Sequence, residues 1–347
     1  MTQSIAVSVL GAGSWGTALA ALASRRQSTM VWARNPDSVR EINEQHTLTH
    51  YLPEVALPPS LRASSDFEQV LAHACQQDDV PGMIILGVPL AGLEEVCQKL
   101  AQHLPAQRRH PLYIIRTSKG FDPHTGQLPN AITARQLPRH SWLHTGSLSG
   151  PSFALEVAQG LPVALTIATP SQALAQSCIE VFHGIQARIY HSEDVLGVEI
   201  GGALKNIIAI ACGVSDGLAL GNNARAALIT RGLAEIQRVG YALGGQPETF
   251  MGLTGLGDLV LTATGDLSRN RQVGLAIARG ELQQLLDTGI TVEGVRCARI
   301  VQTIAHQHQV EAPVTEAVCA VLFEQVSPQQ AVRALLARAA RSEHFLP

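Results

Sequence analysis

At 347 residues and 46% hydrophobic side chains, the chain is long enough for about two domains with sizeable cores. A formal net charge of −3 excludes the global basic field of a nucleic-acid binder, so no nucleic-acid partner is expected. Six cysteines without a Cys-x-x-Cys pair point to reduced thiols rather than a disulfide framework or a zinc site.

The chain opens on a short apolar strand, Ile5 to Leu10, that runs into Gly11-Ala12-Gly13-Ser14-Trp15-Gly16 and then a helical Thr17 to Ala23. This is G-x-G-x-x-G in a strand–turn–helix setting: Gly11 for the tight turn, Gly13 for approach of a pyrophosphate to the backbone, Gly16 for close helix–strand packing. A helix N-terminus supplies the phosphate donors; the same turn without a ligand is the alternative. A second strand, Thr29 to Arg34, ends on an arginine with no acid before Asp37. An acid at this place suits a free ribose and an arginine suits a 2′-phosphate, so NADPH is expected, with NADH possible, unless Arg34 is only a surface residue. Residues 40–80 read as a long connection.

Further strands follow at Met83–Pro89 and Leu112–Arg116, the second leading to Thr117-Ser118-Lys119-Gly120. Lys119 stands at the carboxyl end of a strand, where ligands of open α/β sheets sit; a solvated loop lysine is the bland alternative. Trp142-Leu143-His144 leads to the Gly- and Ser-rich stretch 146–154, and strands at 162–168 and 187–190 complete the half. Strands alternating with helical stretches predict a doubly wound, mostly parallel Rossmann-type sheet.

After residue 192 the strand pattern stops, and 195–215, 224–243, 269–286, 295–308, 314–324 and 328–341 read as helices. The expected division is therefore a dinucleotide-binding domain, residues 1–192, and an all-α substrate-binding and catalytic domain, residues 193–347. The first of these helices is apolar on every face, as a core helix is, and no membrane span is expected. It carries Lys205, one of only three lysines, with Lys99 and Lys119, among 25 Lys+Arg. Side chains on a helix lean over positions i−3 and i−4, here Gly202 and Gly201, so the ammonium is expected to enter an open notch reachable by a small molecule. A desolvated lysine can be tuned toward neutrality and transfer a proton, which arginine cannot. The alternative is a lysine snorkelling to the surface between closely packed helices.

Two later stretches carry chemistry. Asp258, in Gly255-Leu256-Gly257-Asp258-Leu259, is either a substrate acceptor or a helix cap. Ser268-Arg269-Asn270-Arg271 opens a helix, where backbone donors, the dipole and a guanidinium can converge on an oxyanion; a capped helix with exposed arginines is the alternative. His306-x-His308 has no ligand cluster around it, so no metal is expected. The first residues lack a basic leader region, and a cytoplasmic protein is expected.

These blocks, with Ser149-Gly150-Pro151-Ser152-Phe153-Ala154, Gly202 to Asn206 and Val292-Glu293-Gly294, resemble the bacterial NAD(P)-dependent glycerol-3-phosphate dehydrogenases over nearly the whole chain. The resemblance implies reversible reduction of dihydroxyacetone phosphate to sn-glycerol 3-phosphate for phospholipid synthesis, with Lys205 as proton donor and Lys119 assisting. It implies substrate contacts from Lys119, Gly150, Ser152, Lys205, Asp258, Ser268, Arg269 and Asn270. It implies cofactor contacts from Gly11, Gly13, Ser14, Trp15, Gly16, Arg34, Lys119, Ala154, Arg269, Thr291 and Glu293. The chain departs from the family pattern in having Ser152 for threonine and Thr291 for an apolar residue, and 325–347 carries no motif. A homodimer is expected. The competing readings are another two-domain dehydrogenase, of the β-hydroxyacid or 6-phosphogluconate type, and a non-catalytic dinucleotide sensor.

Overall fold

Strands buried on both faces have no reason to alternate, and the apolar runs Ala6–Leu10, Gly82–Leu86 and Leu112–Arg116 are each buried along their full length. They are β1, β4 and β5 of an eight-stranded sheet, in a computed structural model that describes residues 4–75, 80–287 and 292–338. The other strands are β2 (Thr29–Trp32), β3 (Arg62–Ser64), β6 (Leu143–Ser149), β7 (Val163–Ala168) and β8 (Ala187–Ser192). The order is β3-β2-β1-β4-β5-β6-β7-β8, and among these strands every pairing is parallel except β6 with β7. The doubly wound sheet is thus as expected. The segment read as a long connection holds the short helical turn Glu41–Gln45, β3 and the helix Phe67–Cys75; three-residue β3 is too short to show a period. Ser8 sits fully buried in β1, its hydroxyl satisfied by the Val70 carbonyl at 2.6 Å.

The chain forms two units: Met1–Ser118 with Pro129–Val195, and Lys119–Leu128 with Leu196–Pro347. The excursion Lys119–Leu128 is the feature that a single cut near residue 192 leaves out, because its apolar anchors, Phe121 and Leu128, belong to the helical core of the second unit.

That second core surrounds the Val195–Gly217 helix. It is long and apolar enough to cross a membrane, with mean hydropathy 1.7 over its best window, but 83% of that window is buried inside the protein. It is a core helix. Its neighbours come close where side chains are missing: a Cβ on Gly213 would lie 2.1 Å from the Arg271 carbonyl, and one on Gly274 2.1 Å from the Ile210 carbonyl. These two glycines let the Arg269–Arg279 helix cross the core helix backbone to backbone. The expected helix 269–286 is instead two, Arg269–Arg279 and Leu282–Asp287, broken by Gly280 at φ 75°, the left-handed C-terminal stop that glycine favours. The expected helix 328–341 runs over Pro328–Leu336 and is capped at Ala337; residues 339–341 of that expectation lie outside the described residues. Buried Glu235 closes the core by accepting the Val314 and Thr315 amides at 2.8 and 2.9 Å, at the start of the Pro313–Phe323 helix. All six cysteines are buried free thiols.

The crossing generates a prediction. Gly274→Ala forces a methyl into the Ile210 carbonyl, and overpacking of this kind costs about 1–3 kcal/mol. Thermal unfolding of the variant is expected several degrees below wild type; an unchanged midpoint contradicts the crossing.

Candidate active site

The site in the second unit is built on glycine. A Cβ on Gly201 would meet the Thr254 carbonyl at 2.9 Å, and one on Gly255 would meet the Phe250 carbonyl at 2.0 Å. The notch beside Lys205 is therefore not open, as the sequence had suggested: on the Gly201 side the Thr254–Gly255 backbone fills it. The consequence is useful. That backbone leads within one turn to Asp258, the first residue of the Asp258–Thr264 helix, and delivers its carboxylate to Lys205.

Lys205 is 6% exposed and Asp258 1%. The Lys205 ammonium donates to Asp258 Oδ1 and, at 2.8 Å, to Thr262 Oγ1. Lys119 Nζ reaches Asp258 Oδ2 at 2.7 Å. One buried carboxylate thus takes two ammonium groups, one on each oxygen. Thr262 lies one helical turn after Asp258; its hydroxyl donates to the Asp258 carbonyl at 2.6 Å while accepting from Lys205. Sequence reading passed over Thr262, although the i, i+4 spacing from Asp258 was the available signal.

Burial pushes the Lys205 ammonium down; Asp258 opposes and Lys119 reinforces, leaving it at about 7. Burial alone would raise the Asp258 carboxyl, but the two lysines outweigh it and hold it below the ordinary carboxylate value. The cluster is therefore an anion flanked by two lysines, with a net positive bias and one amine poised to give or take a proton near neutrality. Such a cluster can also stabilise negative charge developing on a carbonyl oxygen.

The Ser268–Asn270 turn is divided in its duties. Ser268 caps the Arg269–Arg279 helix, accepting the Arg271 amide at 3.2 Å. Arg271 is tied to Asp216 at 2.8 Å and Asp266 at 2.9 Å. Arg269 is exposed, and its positive charge acts on Glu293, whose carboxyl burial raises and Arg296 and Arg269 pull back. Asn270 donates to Asn206 Oδ1 and accepts the Gly294 amide, each at 3.0 Å, tying the core helix to the start of the Glu293–Gln307 helix. Asn270 thus braces three helices, a role the sequence did not suggest. Thr291 lies outside the described residues.

The first unit carries the remaining predicted residues. Gly11 sits at φ 118° between β1 and the Ser14–Ser24 helix, and a Cβ on Gly16 would strike the Gly11 carbonyl at 2.0 Å. A Cβ on Gly13, by contrast, meets nothing within 4 Å: the space above the turn is open. The helix begins with no side-chain cap, so its first amides face that space unclaimed by a side chain. A pyrophosphate fits this cradle. Ser14 bonds the Tyr51 carbonyl at 3.0 Å, and Trp15 is half-buried beside it. Arg34 is exposed just past β2, while the next acid, Asp37, is engaged by Arg40 at 2.7 Å. Gly150, at φ 145°, follows β6; the Ser152 hydroxyl donates to its carbonyl at 3.2 Å, and Ala154 starts the short Ala154–Ala158 helix. No group of three or more potential metal ligands occurs among the described residues.

The chain matches two halves of one family. The pattern described as the NAD-dependent glycerol-3-phosphate dehydrogenase N-terminus covers residues 6–175, and that of the C-terminus covers 194–333. Among solved structures it is similar to the glycerol-3-phosphate dehydrogenase of Coxiella burnetii, at 38% identity over 97% of this chain and 100% of that one, TM-score 0.85. It is similar to a Saccharomyces cerevisiae glycerol-3-phosphate dehydrogenase at 25% identity, over 95% and 99%, TM-score 0.78. It shares its fold with the Plasmodium falciparum enzyme at 22% identity, over 98% and 97%, TM-score 0.84. With both family halves matched in order and a relative at 38% identity end to end, the chain belongs to the NAD-dependent glycerol-3-phosphate dehydrogenase family.

Proposed function

We propose that this dehydrogenase reduces dihydroxyacetone phosphate to sn-glycerol 3-phosphate in the cytoplasm, as a homodimer, with NADPH preferred over NADH, and so feeds phospholipid synthesis. The observation that carries the reading is the single carboxylate Asp258 shared by Lys119 and the buried Lys205. The first unit is the cofactor-binding part and the second, including 119–128, the substrate-binding and catalytic part.

Gly11, Gly13 and Gly16 shape the cradle for the cofactor pyrophosphate, with Ser14, Trp15 and Ala154 beside it and Arg34 meeting a 2′-phosphate. When bound, the reduced nicotinamide supplies the hydride. Lys205 gives its proton to the substrate oxygen as negative charge develops there, and Lys119 stabilises that charge. Asp258 stays ionised; it holds both ammonium groups in place and keeps Lys205 from losing its proton too early. Arg269, at a helix N-terminus, binds the substrate phosphate, and orientation of the triose follows from that anchor. Ser268 and Asn270 act here mainly by fixing the turn. Gly150 and Ser152 present a backbone oxygen and a hydroxyl to the substrate.

Lys205→Arg keeps the charge but does not give up its proton, and general acid catalysis is worth roughly 10²–10⁴-fold. Stopped-flow measurement of kcat for the variant is expected to show a loss of about 10²-fold or more; near-normal turnover excludes Lys205 as the acid.

The pH dependence has a definite sign. Reduction needs Lys205 protonated, so its rate is level below pH about 7 and falls above it, whereas oxidation of glycerol 3-phosphate needs the neutral amine and rises through the same range. Opposed limbs in the two directions support the assignment; a reduction rate that climbs from pH 7 to 9 contradicts it.

Arg34→Ala is expected to raise KM for NADPH about tenfold or more while leaving KM for NADH nearly unchanged, the loss of one charge-assisted phosphate contact. Equal changes for the two cofactors remove the basis for the preference.

A further inference from the structure

The Lys119–Leu128 excursion carries one of the two lysines to Asp258, and its own internal bonds do not fix where it lies. It is closed on itself: Asp122 N donates to the Gln127 carbonyl at 2.9 Å, Gly126 N to the Asp122 carbonyl at 2.8 Å, and the Asp122 carboxylate accepts the Thr125 amide at 2.8 Å. What places it is the Glu293–Gln307 helix. Phe121 is buried in the helical core, and its amide donates to Cys297 Sγ at 3.4 Å. A Cβ added to Gly126, at φ 67°, would lie 3.9 Å from the Ile300 side chain one turn further on, so the excursion passes close over this helix. The same helix is anchored at its start by Asn270, which joins the Gly294 amide to Asn206, the residue after Lys205.

We propose that Cys297 is a positioning residue: by accepting the Phe121 amide it fixes the backbone two residues from Lys119 and so sets the Lys119 ammonium on Asp258. The reading rests on the function proposed above for Lys119. A sulfur acceptor is weak, but Cys297 is fully buried, and an amide left without it has no water to turn to. The Glu293–Gln307 helix then acts as a strut. One end registers the Ser268–Asn270 turn against the Lys205 helix, and the next turn, through Cys297 and the Phe121 amide, registers Lys119 against Asp258.

Cys297→Val fills the same space without an acceptor, and Cys297→Ser restores one. Cys297→Val is expected to lower kcat for dihydroxyacetone phosphate by about fivefold, the worth of one ordinary hydrogen bond. Cofactor KM should not move, and Cys297→Ser should recover most of the loss. In a Lys119→Met background the Cys297→Val change is expected to cost nothing further, because the lysine it positions is gone. A readout independent of turnover is the rate at which an amine-reactive reagent acylates Lys119, followed by peptide mass. It should rise several-fold in Cys297→Val and stay at the wild-type value in Cys297→Ser. Equal losses in both backgrounds, or an unchanged Lys119 labelling rate in Cys297→Val, overturn the proposal. Absence of dihydroxyacetone phosphate turnover by the wild-type protein defeats the proposed function instead, and the labelling comparison still decides the role of Cys297.

Discussion

Two lysines and one buried carboxylate set the terms for the second unit. Asp258 is nearly fully buried and gives one oxygen to each ammonium. A buried charge that lost all its partners would cost several kcal/mol, so the three groups hold one another in place. Two cations on one anion leave the surplus on the positive side. Desolvation is what draws Lys205 toward neutrality, with Lys119 adding to it against the opposing pull of Asp258, which itself remains an anion.

The surrounding structure follows from the need to bring those three groups together from distant parts of the chain. Lys205 stands on a helix buried on all sides, whose missing side chain at Gly201 admits the backbone before Asp258. Gly213 and Gly274 let a second helix cross it, and that helix begins at the Ser268–Asn270 turn. Lys119 arrives on a ten-residue loop that leaves the sheet-bearing part of the sequence and returns to it. The glycine approaches are backbone against backbone, whereas the Lys119 loop is held through Phe121, whose amide donates to Cys297 Sγ. Thr262 completes the arrangement by turning its hydroxyl lone pair to Lys205 and its proton to the helix carbonyl.

Much of this could be read beforehand where the chemistry is local. The Gly11–Gly16 turn, the apolar strands and the all-buried helix at 195–217 each write their state in a contiguous pattern. The rarity of lysine singled out Lys119 and Lys205. What could not be read is whatever depends on contacts far apart in sequence. Asp258 looked equally like a cap because it lies 53 positions after Lys205 and the intervening sequence carries no record of their meeting. The notch expected to be open at Gly201 is occupied by the Thr254–Gly255 backbone, since one helix does not announce which backbone packs on it. β3 escaped because three residues cannot display alternation, and the Lys119–Leu128 excursion because its allegiance is set by Phe121 and Leu128 finding the other core. Asn270 was expected at the substrate from the family resemblance and its place in the helix-opening Ser268-Arg269-Asn270-Arg271; that its amide also serves Asn206 and Gly294 depends on contacts far along the chain.

With only three lysines in the chain, the titration of Lys205 can be followed directly. Carbon-13 labelling at lysine Cε, assigned with Lys99→Arg and Lys119→Arg variants, gives the midpoint of each amine by NMR. A Lys205 midpoint near 7, falling further when Asp258→Asn removes the anion that opposes deprotonation, is the expected result. A Lys205 midpoint near the ordinary lysine value of about 10, unmoved by Asp258→Asn, contradicts the account.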